Sequence, residues 1–328
     1  MSLGRVLSLA GGVAIALLFL WLLLRDTETT ALLAAFDGAQ PVWVGLGIAA
    51  FFAGYAARIA RWQRMLALEN PSITWVASAG PFFISIAANN LLPFRAGDAL
   101  RTFAFRRRLG VSAGPVLATL LVERLLDLLT LLAILAGAVL VTGLAVGGLI
   151  GIGVAGLVAV AGAALLVLLA PALFEPLPRG LLRLLGRLAP GLASAAQTQV
   201  DRVFGVLKHL AGRRAMIPLI GWSALAWGLE GCVFLCAALA LPAMAEPLAA
   251  VVALPLGTLA TLIPSTPGHI GTFDFFTAEA VALFGVPPSV AAAYALLVHA
   301  MLWVPPVLAG GLALLIAPPT GATAREES

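Results

Sequence analysis

Long apolar stretches organise this chain, and the informative positions are the few places where proline, glycine and polar residues break into them. Apolar stretches cover about 6–24, 41–57, 75–92, 112–141, 147–170, 216–241, 248–263 and 289–316. The first is a nineteen-residue run, enough to cross a hydrocarbon core of about 30 Å as a helix. It exceeds the usual signal-peptide h-region of about 7–15 residues, and no clean Ala-x-Ala site follows it. Residues 171–215 are more polar. The tail 320–328 is polar and expected to be disordered.

Two of the interruptions resemble each other. One runs from Asn89 and Asn90 through Pro93, Arg95 and Gly97 to Asp98 and Arg101; the other runs from Pro264 through Pro267, Gly268, His269 and Gly271 to Asp274. Pro93 and Gly97 align on Pro264 and Gly268 at one offset. A Gly-Val pair follows each break (Gly110 and Val111, Gly285 and Val286), and then a long apolar helix. That helix carries Glu123, Arg124 and Asp127 in one half and His299 in the other. Matched hydrophobic segments broken by Pro and Gly are the best sequence pointer to a transporter-like site near the bilayer midplane.

Composition turns this pattern into a membrane protein. The chain is 62% hydrophobic and 10% charged, with mean hydropathy +1.07; a soluble domain carries about 25% charged residues. The net charge of +4 comes almost wholly from Arg beside apolar stretches. Topology and anionic lipid account for such residues, and no nucleic-acid partner is needed. Arg58, Arg61 and Arg64 follow the second stretch, and Arg106, Arg107 and Arg108 follow the first break. Arg179, Arg183, Arg187, Lys208, Arg213 and Arg214 lie in the central region, whereas loop 25–40 sets Asp26, Glu28 and Asp37 against Arg25. The positive-inside rule then places both termini and the central region in the cytoplasm, and loop 25–40 outside a cell inner membrane.

A full crossing by 75–92 would put Arg106, Arg107 and Arg108 outside. A re-entrant hairpin avoids this: 75–92 enters from the cytoplasm, breaks at Pro93 to Asp98, and 99–109 returns. The same logic makes 248–285 a hairpin entering from outside. Non-helical backbone at depth is tolerated only where protein buries it or a cavity receives it. The fold class expected is an all-α polytopic membrane protein with about six full spans plus two re-entrant broken-helix hairpins, arranged as an inverted repeat. The whole forms one transmembrane domain, 1–319, with repeat A at about 41–141 and repeat B at about 216–316. The segment 171–215 is the cytoplasmic connector. There Arg179, Arg183 and Arg187 share one helix face, with Leu181, Leu182, Leu184, Leu185 and Leu188 on the other. That pattern suits a basic amphipathic helix on anionic headgroups, or an ordinary partly buried connector.

The candidate chemistry is sparse. Glu123 lies about 16 Å, and His299 about 15 Å, into its helix by helical rise. Charged residues at such depth cost roughly 2.5–3.5 kcal/mol each if they face lipid, so Glu123, Arg124 and Asp127 must face the interior and pair. Glu123 and Asp127 are i,i+4 and Arg124 and Asp127 are i,i+3, which permits pairing within the helix. A register-holding ion pair and a polar site for a headgroup, an ion or a proton both fit. Glu230 could pair with His299 or with Arg124. Asn89 and Asn90 offer amides, Arg95 and Arg101 offer positive charge, and a helix starting near Asp98 leaves free N–H groups for a phosphate. Asp98 and Asp274 equally suit N-caps.

Other apparent motifs carry little. Residues 151–156 match a dinucleotide fingerprint but lie in a spanning helix with no preceding strand. Ser265, His269 and Asp274 lack a nucleophile-elbow context. Cys232 and Cys236, four apart in an apolar run, read as reduced helix residues. There is no Cys/His metal cluster and no ATP-binding element, so neither a metal nor a cofactor is expected.

The order and spacing of Asn90, Leu91, Leu92, Pro93, Arg95, Gly97 and Asp98, then Glu123, Arg124 and Asp127, then Ile263, Pro264, Thr266, Pro267, Gly268, Ile270 and Gly271, then His299, resemble the flippase-like transmembrane domain family. The resemblance covers about 40–316. That family includes the membrane half of lysylphosphatidylglycerol synthases and stand-alone proteins linked to polyprenyl-glycan and hopanoid pathways. The synthases carry a soluble aminoacyltransferase domain after the membrane part. None follows here before Ser328, so aminoacylation is not carried over and no enzymatic activity is expected.

The resemblance implies lipid translocation. The expectation is an integral membrane protein that moves an anionic or polyprenyl-type lipid between leaflets, with the headgroup held between the two hairpins. Arg95, Arg101 and Arg124 would hold its charge, and Glu123, Asp127 and His299 could carry a coupling proton. The partners expected are membrane lipids: an anionic phospholipid, a polyprenyl or a hopanoid-type lipid. A second copy of the chain or a lipid-synthesis enzyme is left open. Two other readings stand beside this one. One is a membrane-embedded lipid-modifying enzyme using Glu123, His269 or His299 as acid or base. The other is a non-transporting partner of a lipid-synthesis enzyme.

Overall fold

The structure, a computed structural model, describes residues 3–143, 148–187 and 189–316, and among these the regular elements are all helices. The first half holds α1 (Leu3–Leu24), α2 (Thr29–Ala34), α3 (Pro41–Leu66), α4 (Trp75–Leu91), α5 (Ala96–Phe103), α6 (Arg106–Leu109) and α7 (Ala113–Thr142). Then come α8 (Gly148–Leu169), α9 (Pro176–Gly186), α10 (Pro190–Leu210), α11 (Arg213–Ala240), α12 (Ala250–Ala260), α13 (Thr272–Ala282) and α14 (Pro288–Ile316). Local chemistry sets many of these limits. Proline opens α3, α9, α10 and α14, where its missing N–H costs no hydrogen bond. The Thr74 hydroxyl caps α4 by accepting from the Ala77 N–H at 3.2 Å. Gly110 and Gly143, at φ 61° and 64°, close α6 and α7 in the left-handed region.

Four described helices are long and apolar enough to cross a membrane: α3, α7, residues 214–240 of α11, and α14. The count reaches five if Val158–Leu169 and Pro171–Gly186, bent by 96° at their junction, form one broken span. The first helix contributes the shorter apolar segment Gly11–Leu24. The chain is thus an all-helical multi-pass membrane protein, with fewer qualifying spans among the described residues than the six expected. The fingerprint-like residues 151–156 lie inside α8.

The second apolar stretch does not stop at residue 57. The helix α3 runs on to Leu66, with Ile59, Trp62, Met65 and Leu66 buried. Their i, i+3 and i+7 spacing extends the apolar face through the arginines. Arg61 is therefore only 1% exposed and Arg58 lies inside the bundle. These two are interior residues rather than flanking charges, and the topology argument keeps only Arg64 of the three.

Packing pairs helices from the two halves. α3 lies along α11, α4 along α14, and α7 against α12. Within each half, α4 folds back on α5 and α12 on α13. α1 lies against α13. One core gathers Phe234, Val281, Tyr294 and Val298 around α11 to α14; the other gathers Trp62, Phe82, Phe105, Val116 and Leu207 around α3, α4, α7 and α10. Gly97 permits the α4–α5 hairpin, because a Cβ there would fall on the Ser85 carbonyl and 2.8 Å from Asn89 Oδ1.

Each hairpin reverses through a short 3-10 turn opened by proline, Pro93–Arg95 in one and Pro267–His269 in the other. Both turns hold two consecutive left-handed residues: Phe94 and Arg95 at φ 60° and 52°, Gly268 and His269 at 73° and 59°. Turn geometry therefore matches Pro93 with Pro267 and Arg95 with His269, not Pro93 with Pro264 and Gly97 with Gly268. The register differs because Ile270 and Gly271 separate the second turn from its helix, whereas α5 begins directly after Arg95.

The central α9 carries Arg179 and Arg183, with Arg187 just past its end, and leaves Leu177, Leu181 and Leu184 exposed by 70%, 60% and 57%. Leu188, the side chain of Arg213 and the tail 320–328 lie outside the described residues.

Candidate functional site

The two breaks meet at one cavity of about 590 Å³. Its walls are Asn89 and Leu92 to Arg95 from the first hairpin, Thr261 to His269 from the second, and Gly11, Gly12, Val13 and Ile15 of α1. The α1 wall stands close because Gly12 has no side chain: a Cβ there would lie 3.1 Å from the Ser265 carbonyl. Gly271, at φ 85°, meets the Ala16 carbonyl in the same way. A second chamber of about 130 Å³ lies beside the first, with Asn90, Glu230, Thr258 and His299 in its wall. Thr261, Gly268 and His269 line both spaces, so the second turn forms the neck between them.

The electrostatics of the larger cavity rest on Arg95. Among the described residues its wall contains no Asp or Glu, and Arg95 is exposed with no salt bridge to any of them. The other arginines of the bundle interior are paired. Arg58 meets Glu230 at 2.5 Å, Arg61 meets Asp127 at 2.7 Å, Arg124 meets Asp98 at 3.3 Å, and Arg101 binds Glu123. Among the described residues of the cavity wall this unpaired guanidinium is the one permanent cation, and it attracts anions.

These partners correct several expectations. Glu123, Arg124 and Asp127 do not pair with one another. Each reaches a different side chain on α3 or α5, because neighbouring helices offer opposite charge that shared helix spacing alone does not align. Asp127 accepts from Arg61, itself bonded to the Ser223 hydroxyl, and from the Trp227 indole at 3.1 Å. Glu230 takes Arg58 rather than His299 or Arg124. Arg101, 1% exposed, lies against both the Trp62 and Phe82 rings at 4.7 and 4.8 Å, and so is closed off from a headgroup. Arg124, although partly exposed, is held by Asp98 outside the cavity wall.

The hairpin termini are also occupied. Asn89 accepts from the Asp98 N–H and donates to its carboxylate, which places a negative charge in the first turn of α5. That charge offsets the anion preference of the helix start. Asp98 is therefore the third residue of α5, not its cap. Asp274 accepts from the Gly271 N–H at 2.8 Å, which caps α13, and also meets His299 Nδ1 at 2.6 Å. The His269 ring lies 3.5 Å from the Ser265 hydroxyl. Pro93, Pro264, Pro267 and Gly268 line the larger cavity, whereas Gly97 serves hairpin packing.

Sequence reasoning missed Arg58, Arg61, Ser223, Trp227, Trp303 and the α1 wall. The apolar spacing through Trp62 and Leu66, and the Gly11–Gly12 pair in an apolar helix, are the signals that point to the arginines and the wall. Among the described residues no group of three or more His, Cys, Asp or Glu side chains is placed to hold a metal ion.

Comparison with known proteins agrees with this architecture. The chain is 28% identical over 327 residues to glycosyltransferase AglD of Haloferax volcanii, an alignment covering 90% of this chain and 52% of that protein. It thus spans about half the length of this relative. The family described as the lysylphosphatidylglycerol synthase TM region matches residues 9–310. With that match covering nearly its whole length, the chain belongs to the lysylphosphatidylglycerol synthase transmembrane-region family.

Proposed function

We propose that this protein moves a phosphate-bearing lipid, anionic or polyprenyl-type, between the leaflets of a cell inner membrane without chemically changing it. The observation that carries this reading is Arg95: an unpaired guanidinium at a left-handed turn, in a cavity built from two broken hairpins whose described wall carries no carboxylate. The phosphate is held there while the tails remain in lipid along α1. The inverted-repeat reading supports the same function. The contacts α3 with α11, α4 with α14 and α12 with α7 pair the halves in the way that a two-fold axis between them would, which is compatible with an inverted repeat. On this reading α4–α5 enters from the cytoplasm, α12–α13 enters from outside, and α1 and α8 complete six spans. The name of the relative from Haloferax volcanii favours a second reading, in which the membrane module presents a lipid carrier to a sugar-transfer enzyme.

Reconstitution into vesicles separates the two. Fluorescent lipids placed in the inner leaflet become accessible to a membrane-impermeant quencher only if they cross. Purified wild type should accelerate quenching of an anionic lipid, and Arg95→Gln should remove most of that acceleration with an unchanged melting temperature. No acceleration across anionic and polyprenyl phosphate lipids would leave the carrier-presenting reading.

A further inference from the structure

The second chamber has a different chemistry from the first. At about 130 Å³ it has room for about four waters at roughly 30 Å³ each. Its charges are already answered: Glu230 by Arg58 at 2.5 Å and His299 by Asp274 at 2.6 Å. What remains is a mixture of donors and acceptors. The Trp303 indole N–H and the Thr258 hydroxyl are buried with no hydrogen-bond partner among the described residues. Arg58 occupies Glu230 Oε2, which leaves Oε1 as an acceptor, and Asp274 occupies His299 Nδ1, which leaves Nε2. Asn90 adds an amide, which offers both.

We infer that this chamber binds a small uncharged polyhydroxyl group attached to the lipid phosphate. The inference rests on the phosphate-lipid reading of Arg95. A second anion would face the Glu230 carboxylate. An ammonium would meet the Trp303 N–H and find no carboxylate free of a cation. A hydroxyl both donates and accepts, so each hydroxyl of a polyol can satisfy one of the unpartnered groups, and leaving such buried groups unmade is costly. The neck fits this division. Thr261, Gly268 and His269 border both spaces, so a phosphate at Arg95 and a polyol beyond the turn belong to one headgroup. The volume of about 130 Å³ suits a glycerol or one sugar-like ring.

Binding of short-chain lipids to the purified full-length protein tests this without transport. The probes are dioctanoyl phosphatidic acid, phosphatidylglycerol, phosphatidylinositol and phosphatidylethanolamine, with melting temperature recorded for every variant. Phosphatidylglycerol, phosphatidylinositol or both should bind about tenfold more tightly than phosphatidic acid, the scale of one or two buried hydrogen bonds. Which of the two binds more tightly identifies a glycerol or a ring. Thr258→Val and Trp303→Phe should each erase most of that preference while leaving phosphatidic acid unchanged. Thr258→Val keeps side-chain shape, so it decides the matter if the Trp303 variant does not fold. Equal binding of phosphatidic acid and both polyol lipids overturns the polyol site and leaves the Arg95 reading intact. Tighter binding of phosphatidylethanolamine overturns it in favour of an ammonium. Undiminished phosphatidic acid binding by Arg95→Gln overturns the phosphate reading itself.

Discussion

Arg124 and His299 are each the twelfth residue of the long helix that follows a hairpin, counting from Ala113 in α7 and Pro288 in α14. Each meets the aspartate that is third in the returning arm, Asp98 in α5 and Asp274 in α13. The two pairs share positions but not environments. Asp274 is 1% exposed and also caps its helix, whereas the Asp98 and Arg124 side chains are 22% and 39% exposed and 3.3 Å apart. Asp274→Ala should therefore lower stability by about 3 kcal/mol, since it strands the His299 ring and a helix N–H. Asp98→Ala should cost less, about 1 kcal/mol, because the pair that it breaks is longer and more exposed. Thermal unfolding of both variants in one detergent checks this, and equal losses would contradict the unequal burial.

The Arg61–Asp127 pair offers a cycle. Asp127→Leu should destabilise by about 3–5 kcal/mol, because it leaves the 1%-exposed Arg61 guanidinium without its carboxylate. Adding Arg61→Leu should recover most of that loss, although Trp227 and Ser223 each lose a partner. Adding Arg124→Leu should recover nothing, since Arg124 binds Asp98 instead. Melting temperatures of the three variants decide between these partners.

How far the sequence reveals this arrangement differs by feature. The stretch boundaries at 75–92, 112–141 and 289–316 fall within a residue or two of α4, α7 and α14, because Pro, Gly and a Thr cap punctuate them. The two breaks are legible for the same reason. The charge partners are not. Sequence offers only i,i+3 and i,i+4 neighbours, while Arg58, Arg61 and Arg101 reach carboxylates 172, 66 and 22 residues away. Register at the breaks is also hidden, since Pro264 and Pro267 both suit a turn and only the backbone selects Pro267.

Topology yields a labelling prediction. With Arg58 and Arg61 assigned to the interior, orientation rests on Arg64, Arg106, Arg107, Arg108 and the basic residues of 179–214. In a background with Cys232 and Cys236 replaced by Ser, a Cys at 107 or 202 should react only after the membrane is made permeable. A Cys at 37 or 246 should react in intact cells. Labelling of position 107 from outside would make α4–α5 a full crossing rather than a hairpin.

The neck between the chambers gives the sharpest steric test. Gly268 sits at φ 73°, and a Cβ there would stand 2.6 Å from Trp303 Nε1 and 3.4 Å from the Asn90 carbonyl. Gly268→Ala should therefore cost about 1–2 kcal/mol from the left-handed backbone, with a further penalty for displacing the indole. Trp303→Leu removes the indole but not the backbone cost. The double variant should thus be less destabilised than the sum of the singles, with a coupling of about 0.5–3 kcal/mol. Gly97 provides the contrast. Its Cβ would strike the Ser85 backbone carbonyl, which no side-chain truncation can move, so Gly97→Ala should destabilise about additively with Trp303→Leu. Gly268→Ala should also weaken binding of polyol lipids more than of phosphatidic acid, since the neck narrows but Arg95 is untouched. Equal weakening of both lipids would place the headgroup wholly in the larger cavity.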